Sequence, residues 1–551
     1  MDNLDSLDKR TSLLSLERRR LLEALLKQKH RQHNFSDAIS PRPKGLSAVP
    51  LSYAQQRLWI IDQLNPGSAA YNIFSALRLT GPLDIPTLQR SLHSLVERHE
   101  ALRTSFMEDT GGSPSQIIRS EVLLDCPLLD VSSLPENVRP TVIKAMVNSE
   151  VSNPFDLAND PLIRVRLLRL TSEEHVILLT LHHIVSDGWS MNILLREVAM
   201  LYQSFINHQP SALPPLPIQY ADFACWQRES LLGDTLEKQI EYWRKQLDGV
   251  PNILRLPTDR PRPTTQSQHG ASFNLHVNAR ISKQLIELGH AHGATLFMTL
   301  LSALNVLLYR YTTQHDICIG SPIANRTHPD THGLIGFFAN TLPLRNHLSG
   351  DQTFSNLLNQ VRKTTLAAYT HQDLPFEQLL DELKIERDTS YTSLFQVMLV
   401  LQNTPATDVH IDALKLERIA SEHRTSKFDL TVGFSESTDG LNGTFEYNTD
   451  LFEHATIKRL ANSFSRVLEQ IAMQPETRIS EFKPLDDFDQ QRLKKWNATA
   501  SSYAVEDKSV HKLFELQAIK TPESTAVVFE NQQLKYKELN DRANQLAHYL
   551  V

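Results

Sequence analysis

The stretch Val176-Ile177-Leu178-Leu179-Thr180-Leu181-His182-His183-Ile184-Val185-Ser186-Asp187-Gly188 decides how this chain is interpreted. Its apolar first half predicts a buried strand, and Ser186-Asp187-Gly188 predicts a turn into a helical pattern that starts at Ser190. Two adjacent titratable rings at the end of a buried strand are unfavourable as part of an apolar core. We therefore interpret His182 and His183 as active-site candidates at the mouth of a cavity.

Composition excludes several classes of protein. The 551 residues are 41% hydrophobic and carry a net charge of −7, and no long basic run is present, which argues against a nucleic-acid partner. Cys126, Cys225 and Cys318 have neither metal-ligand spacing nor a disulfide framework, which is typical of a reducing compartment. The N-terminus lacks a signal pattern, and the apolar stretch 296–309 is too short to span a bilayer. We expect a cytoplasmic protein without a metal site.

Helical and strand patterns alternate along the chain, which predicts an α/β fold in several parts. Residues 1–46 predict one amphipathic helix and a linker, acting either as a docking element or as a solvated cap. Two α/β lobes are expected at 47–225 and 226–480, followed by a linker at 481–503 and the start of a further domain at 504–551. Strands are predicted at 163–170, 176–181, 271–277, 317–319, 395–401, 429–434, 442–447 and 525–529, and helices at 88–97, 190–205, 354–368 and 457–471.

Seven stretches, taken in order, resemble the motifs of the condensation domain of non-ribosomal peptide synthetases, and the resemblance covers most of residues 50–480. The histidine motif alone is weak evidence because other acyltransferases share it, whereas seven motifs in order are specific. Residues 496–499, 511–515 and 534–539 resemble the linker and the beginning of an adenylation domain. The seven stretches are LSYAQQRLW (51–59), RHEALRTSF (98–106), HHIVSDGWS (182–190), YADFACW (220–226), IGFFANTLPLR (335–345), HQDLPFE (371–377) and residues 387–396.

The resemblance implies two chloramphenicol-acetyltransferase-like lobes that form a V-shaped pseudo-dimer with a central tunnel. It also implies amide formation between a donor acyl thioester and an acceptor aminoacyl thioester. Both substrates would arrive on phosphopantetheine arms of carrier proteins, and the domain itself would bind no cofactor. The expected partners are donor and acceptor carrier proteins and an adjoining adenylation domain, and the expected state is a monomer.

The resemblance also suggests roles around the histidine pair. His183 is expected to act on the amine, either as a base or by positioning, and these alternatives stay open. His182 is expected mainly to pack on the opposite face. Asp187 is expected to pair with an arginine, and Arg103, Arg326 and Arg345 are the candidates. Gly188 would be required because a side chain there crowds the passage or because its φ is positive, and its N–H is a candidate oxyanion donor.

Further candidate side chains follow from their places in the motifs. Trp189 and Ser190 are candidates for the tunnel entrance, and Asn340 is a candidate polar group facing the channel. Arg98 and Arg103, at or just past the end of a predicted helix, are expected to have structural roles. Tyr220 and Trp226 are expected to anchor the crossing between the lobes.

Three alternatives concern the chemistry. The uninterrupted histidine motif resembles members that join an L-donor to an L-acceptor, although a fatty acyl donor is also compatible. A coenzyme A-dependent acyltransferase would share the histidine motif, but it would not be followed by a stretch resembling an adenylation domain. A catalytically silent recruitment module of the same fold is the alternative from another class, and it would be expected to lack His183.

Overall fold

The structure is a computed structural model of the chain. It describes residues 38–43, 49–109, 111–385, 388–402, 411, 414–419, 425–485, 487–501 and 509–551. The described chain forms two compact units, one ending at Pro484 and the other running Leu485–Val551. The predicted N-terminal helix lies outside the described residues. The short segment before the first strand packs on the larger unit, where Ile39 is buried and Arg42 bonds Asp222 and Glu100.

The first lobe of the larger unit is built on a five-stranded sheet, in the strand order β12 (Lys415–Arg418), β2 (Asn72–Thr80), β7 (Glu174–His182), β6 (Ile163–Arg169) and β5 (Leu128–Asp130). The central strand β7 is buried from His175 to His182, which explains why its sequence is a continuous apolar run and does not alternate. Helices cover the sheet, and three of those described are capped by the side chains of Ser52, Asp84 and Asp187, as where Asp84 accepts from the Thr87 N–H. The helices of this lobe are Tyr53–Leu64, Ile85–Arg98, Arg139–Ser152, Gly188–Ile206 and Tyr220–Ser230.

The second lobe has a six-stranded sheet, in the strand order β10 (Asn340–His347), β9 (Asp316–Ile323), β11 (Val397–Gln402), β13 (Leu430–Ser437), β14 (Gly440–Asn448) and β8 (Gly270–Asn278). Its core is the larger one, and the helix Leu296–Thr312, with only its last turn reaching the surface, lies within it. The helices of this lobe are Gly233–Leu247, Ala279–Ala291, Leu296–Thr312, Phe354–Thr370, Phe376–Glu382 and His454–Met473.

One strand crosses between the lobes. β12 belongs to the C-terminal half of the chain, yet it pairs antiparallel with β2 of the first lobe, with Leu416 opposite Leu79. This strand was not predicted from the sequence. A smaller three-stranded sheet beside the first lobe joins β1 (Val49–Pro50), β3 (Thr104–Glu108) and β4 (Pro114–Ile118). The mixed α/β architecture of the prediction is confirmed.

The smaller unit contains the predicted strand at 525–529. This strand, β15 (Thr525–Phe529), forms a hairpin with β16 (Gln532–Lys535). The rings of Phe514 and Tyr536 pack 5.8 Å apart. The helices of this unit are Asp487–Asn497, Val510–Lys520 and Tyr536–Leu550.

In the part of the chain that the structure describes, no individual helix combines the length and the apolar composition needed to cross a membrane. One consecutive pair, Ala279–Ala291 and Leu296–Thr312, meets both criteria together and is bent by 103°.

Candidate active site

The histidine pair sits where β7 ends. His182 is still in register with Asn72 of β2, and the chain then makes a short 3-10 turn over His183–Val185 before the helix Gly188–Ile206 begins. The turn is held rigidly because Ile184 and Val185 are fully buried in an apolar cluster at the junction of the lobes. The backbone N–H of His183 donates to the Tyr71 carbonyl at 2.8 Å. Packing on one side and a hydrogen bond on the other therefore fix the direction of the His183 ring.

His183 lies on the wall of a cavity of about 360 Å³. Its ring meets the Phe337 ring edge-on at 4.7 Å, and within the described chain its Nδ1 is buried and makes no hydrogen bond. Burial lowers the pKa of His183 well below its ordinary value, and the positive charge of Lys427 lowers it further. The ring is therefore neutral at neutral pH and can accept a proton or a hydrogen bond from a group in the cavity.

His182 faces away from the cavity. Its Nδ1 accepts a hydrogen bond from the Ile184 N–H at 3.2 Å, and its ring packs edge-on against Phe155. Burial, with smaller effects from Lys427 and Arg164, lowers the pKa of His182 to about 3. The structure thus brings one histidine of the pair to the cavity and uses the other to hold the turn.

Asp187 is surrounded by hydrogen-bond donors. Its carboxylate accepts from the Ser190 N–H at 2.8 Å, the Ser190 hydroxyl at 2.7 Å and the Phe338 N–H at 3.1 Å. The Arg326 guanidinium also donates to the carboxylate, at 3.1 Å, and the side chains of Asp187 and Arg326 are 3% and 2% exposed. The first bond caps the helix that starts at Gly188, and the Phe338 bond ties this helix to the second lobe. Asp187 therefore joins the histidine turn to the loop that carries Phe337.

Of the three arginines considered as partners of Asp187, the structure selects Arg326. Arg345 instead makes a bidentate bond with Asp316 on the neighbouring strand, at 2.9 and 2.7 Å. Arg103 donates to the Arg119 carbonyl in the first lobe. Arg98 pairs with the buried carboxylate of Glu197 at 3.1 Å.

The stretch 98–106 supports the site through the buried ring of His99. His99 is 1% exposed, and its Nε2 lies 2.8 Å from Glu197 on the helix that begins at Gly188. Its Nδ1 faces the N–H of Ile335, next to Gly336. Burial lowers the pKa of His99 against the opposing effect of Glu197. This chain of contacts links the first lobe to the same loop that Asp187 holds.

Of the two physical reasons predicted for Gly188, the positive φ is wrong, and the crowding of the passage stays a prediction. A Cβ atom built on Gly188 would meet nothing within 4 Å, and its φ lies outside the left-handed region. The prediction that its N–H faces an oxyanion stays a prediction. The glycine that a close approach requires is Gly336, where a Cβ would lie 1.9 Å from the Tyr220 ring. Tyr220, whose hydroxyl donates to the Phe337 carbonyl at 2.6 Å, fills that space.

Trp189 and Ser190 do not line this cavity, contrary to the expected entrance role. The Trp189 indole donates to the His332 carbonyl at 3.1 Å, and the Ser190 hydroxyl also contacts the Gly336 carbonyl at 2.9 Å. Both side chains follow the helix away from His183 and bind the second lobe.

Asn340 does line the cavity, but its amide is already bonded to the chain. Its Nδ2 donates to the carbonyls of Gln372 and Leu374, both at 2.9 Å, and its Oδ1 accepts from the Phe376 N–H at 3.1 Å. Asn340, in the stretch 335–345, therefore holds the stretch 371–377 in place and shapes the cavity wall.

The family model described as "Condensation domain" matches residues 46–494. The chain belongs to the condensation domain family. The match covers both lobes and every residue of the site described above. Together with the relatives below, it identifies a condensation domain of the non-ribosomal peptide synthetase type.

Curated relatives of this condensation domain are synthetases. A linear gramicidin synthase protein of Brevibacillus parabrevis is 45% identical over 513 residues, which cover 93% of this chain and 6% of that protein. Phosphinothricin tripeptide synthetase PhsC of Streptomyces viridochromogenes is 38% identical over 550 residues, covering 100% of this chain and 50% of that protein. The chain therefore spans half or less of the length of these relatives.

Solved structures share the fold. The X-domain from teicoplanin biosynthesis matches with a TM-score of 0.74 and 30% identity, covering 81% of this chain and 100% of that one. The first condensation domain of the calcium-dependent antibiotic synthetase, in complex with a substrate analogue, matches with a TM-score of 0.67 over 80% of this chain and 100% of that one. At 20% identity the second likeness shows the fold alone.

Three charged residues on the cavity wall of the condensation domain, Arg57, Glu377 and Lys427, were not predicted as site residues from the sequence. Arg57 pairs with Glu377 across the lobes at 2.8 Å. Lys427 follows Ser426 just before β13 and lies 4.5 Å above the Tyr71 ring. A lone lysine between Ser426 and the apolar Phe428 is the sequence signal that could have identified it, because solvated lysines seldom interrupt the entry to a buried strand.

Proposed function

We propose that this condensation domain forms an amide bond between a donor acyl or peptidyl thioester and an acceptor aminoacyl thioester. Both substrates would be carried on the phosphopantetheine arms of carrier proteins, and an adenylation domain would adjoin the condensation domain. The observation that carries the proposal is the position of His183, a neutral imidazole whose ring lies on a cavity wall built by both lobes. Asp187 and His182, the polar side chains next to it in the motif, are committed to holding the turn.

The reaction needs a neutral amine beside an electrophilic carbonyl. The amine nitrogen forms a bond to the carbonyl carbon, the carbon–sulfur bond breaks, and a proton from the nitrogen ends on the released thiolate. Bringing two tethered substrates into contact supplies about 7–11 kcal/mol of the barrier in favourable cases. The two bound substrates, filling the cavity, would also keep water away from the thioester.

His183 would hold the amine in place for this step. Its lowered pKa makes the imidazolium unfavourable, so the ring accepts a hydrogen bond from the amine more readily than it stores a complete proton. This favours positioning over full general-base transfer, the two alternatives that the sequence leaves open. The bonds of Asp187 and the packing of Ile184 would keep the ring in place while the substrates enter.

The stereochemical proposal rests on the motif. The unbroken sequence from His182 to Ser190 resembles that of members that join an L-donor to an L-acceptor, and we propose the same preference here. A fatty acyl donor is compatible with the same site.

A recruitment role is the second candidate function. One solved structure at 29% identity and a TM-score of 0.73 is a complex of the X-domain and OxyB, so a domain of this fold serves as a binding platform there. His183, with its ring on the cavity wall, supports the catalytic role in this chain.

The test uses the full chain with a loaded donor carrier and a loaded acceptor carrier. We expect the wild type to release the condensed product and His183→Ala to lower the rate by about 10²-fold or more, the loss typical of a misplaced reacting group. His290→Ala is the matched control, because His290 is exposed on the helix Ala279–Ala291, and we expect it to leave the rate unchanged.

Two outcomes would count against the proposal. A folded His183→Ala protein with the wild-type rate would show that the imidazole is not part of the reaction. Equal rates with free coenzyme A thioesters as donors would instead favour a coenzyme A-dependent acyltransferase.

A further inference from the structure

Lys427 and His183 approach the same cavity from different lobes. His183 comes from the end of β7, whereas Lys427 precedes β13 of the second sheet. Tyr71 contacts both, since its carbonyl accepts the His183 N–H at 2.8 Å and its ring lies 4.5 Å below the Lys427 ammonium. Lys427 is also the charged group with the largest effect on the His183 ring. The ammonium is therefore held on the side of the cavity that contains the candidate reaction centre.

The charge of Lys427 is poorly compensated. Among the described residues no carboxylate forms an ion pair with it within 4 Å, whereas the other cavity cation, Arg57, is bonded to Glu377 at 2.8 Å. Glu446 is the acidic group that acts on Lys427 from a greater distance. A side chain in this state has donors available for a ligand, and those donors point to an anionic group in the cavity.

The proposed reaction creates such an anion. When the amine attacks the thioester, the electrons of the carbonyl double bond move to oxygen, and they return when the carbon–sulfur bond breaks. A fixed cation in a water-poor cavity stabilises this oxygen far more than it would in water. We propose that the ammonium group of Lys427 stabilises the negative charge on the thioester carbonyl oxygen while His183 holds the amine. The proposal rests on the proposed function.

The charge state of Lys427 then controls activity at alkaline pH. Burial lowers the pKa of Lys427 to about 8. The positive charge of Arg57 also lowers this pKa, whereas the carboxylate of Glu446 raises it. Burial raises the pKa of Glu446 itself to about 7. The titratable groups that act on His183 are Lys427 and His182. Below pH about 8 the ammonium carries its charge, and above it the charge and its effect on the carbonyl oxygen are lost.

The test compares wild type, Lys427→Met and Lys427→Arg in the two-carrier assay from pH 6 to pH 9.5. We expect Lys427→Met to lower kcat by about 10²-fold with little change in KM, the loss typical of removing one oxyanion donor. The ratio of wild-type to Lys427→Met kcat cancels the ionisation of the substrate amine. This ratio should fall above pH about 8. Lys427→Arg should retain part of the rate without this fall, because the guanidinium stays charged.

Lys458→Met is the matched control, because Lys458 is exposed on the helix His454–Met473. It should behave as the wild type in kcat, KM and pH profile. A loss confined to KM would overturn the proposal and assign Lys427 to substrate binding. A wild-type to Lys427→Met ratio that does not vary with pH would also overturn it. Active wild type with an equally active Lys427→Met refutes this inference alone, whereas an inactive wild type refutes the proposed function as well.

Discussion

Replacing Asp187 by asparagine is the sharpest test of how the site is held together. The amide keeps the size of the carboxylate but replaces one of its oxygens by an NH₂ group, and both oxygens now accept: Oδ1 from Ser190 and Arg326, and Oδ2 from the Phe338 N–H. At least one buried donor then faces another donor, and Arg326 loses its counter-charge. Because both charged side chains are at most 3% exposed, solvent cannot compensate. Removing one partner of such a pair lowers the free energy of unfolding by about 3–5 kcal/mol.

Urea denaturation of Asp187→Asn measures this loss, and the two-carrier assay at a temperature where the variant is folded measures kcat. We expect kcat to fall by up to about 10²-fold, because a shift of about 1 Å in the His183 ring is enough for such a loss. Asp234→Asn is the control, since Asp234 is exposed, and we expect a change within about 0.5 kcal/mol. Wild-type stability together with lost activity would refute the reasoning and assign Asp187 to direct chemistry. Additive losses in an Asp187→Asn, Arg326→Met double variant would show that the two residues are not coupled.

Two further predictions follow from the same geometry. Gly336→Ala should lower the free energy of unfolding by about 1–3 kcal/mol or more, because its Cβ would enter the Tyr220 ring. Gly188→Ala, by contrast, should leave the free energy of unfolding unchanged or raise it by up to about 1 kcal/mol. Equal losses of the two variants in urea denaturation would contradict this. The free energy of unfolding should also fall as the pH drops from about 6.5 towards 3, because His182 is protonated in the unfolded chain throughout this window but only near pH 3 in the folded one. His182→Gln should reduce that slope by about 1.4 kcal/mol per pH unit, and an unchanged slope would show that His182 does not contribute to it.

The sequence predicts the elements of the site well because their signals are local. The apolar run of β7, the turn at Ser186-Asp187-Gly188 and the helix behind it all lie within one short stretch, and the structure contains each of them. The strands predicted in the second lobe are present for the same reason, since each carries its own apolar pattern.

Contacts between distant parts of the chain could not be predicted from the sequence. Arg326 could not be distinguished from Arg103 and Arg345 as the partner of Asp187, because only the folded loop before Phe338 brings it near. Trp189 and Ser190 are close to His183 along the chain, but the geometry of the helix turns them towards the other lobe.

Two other features lacked a usable pattern. β12 is four residues long and mostly exposed, so it carries no apolar pattern of its own. Lys427 gains its significance only from the ring of Tyr71 and from the shared cavity, and both are properties of the folded molecule.

The pairing of β2 with β12 has a consequence for biosynthesis. The ribosome completes β2 long before it reaches Lys415, so the nascent first lobe exposes an unsatisfied edge strand while much of the second lobe is still being translated. Such an edge is a template for mispairing, and closing it late makes this a slow folding step of high contact order. Expressing the first lobe alone would leave the edge permanently open, and excised fragments of this kind should therefore aggregate where the two-lobed domain does not.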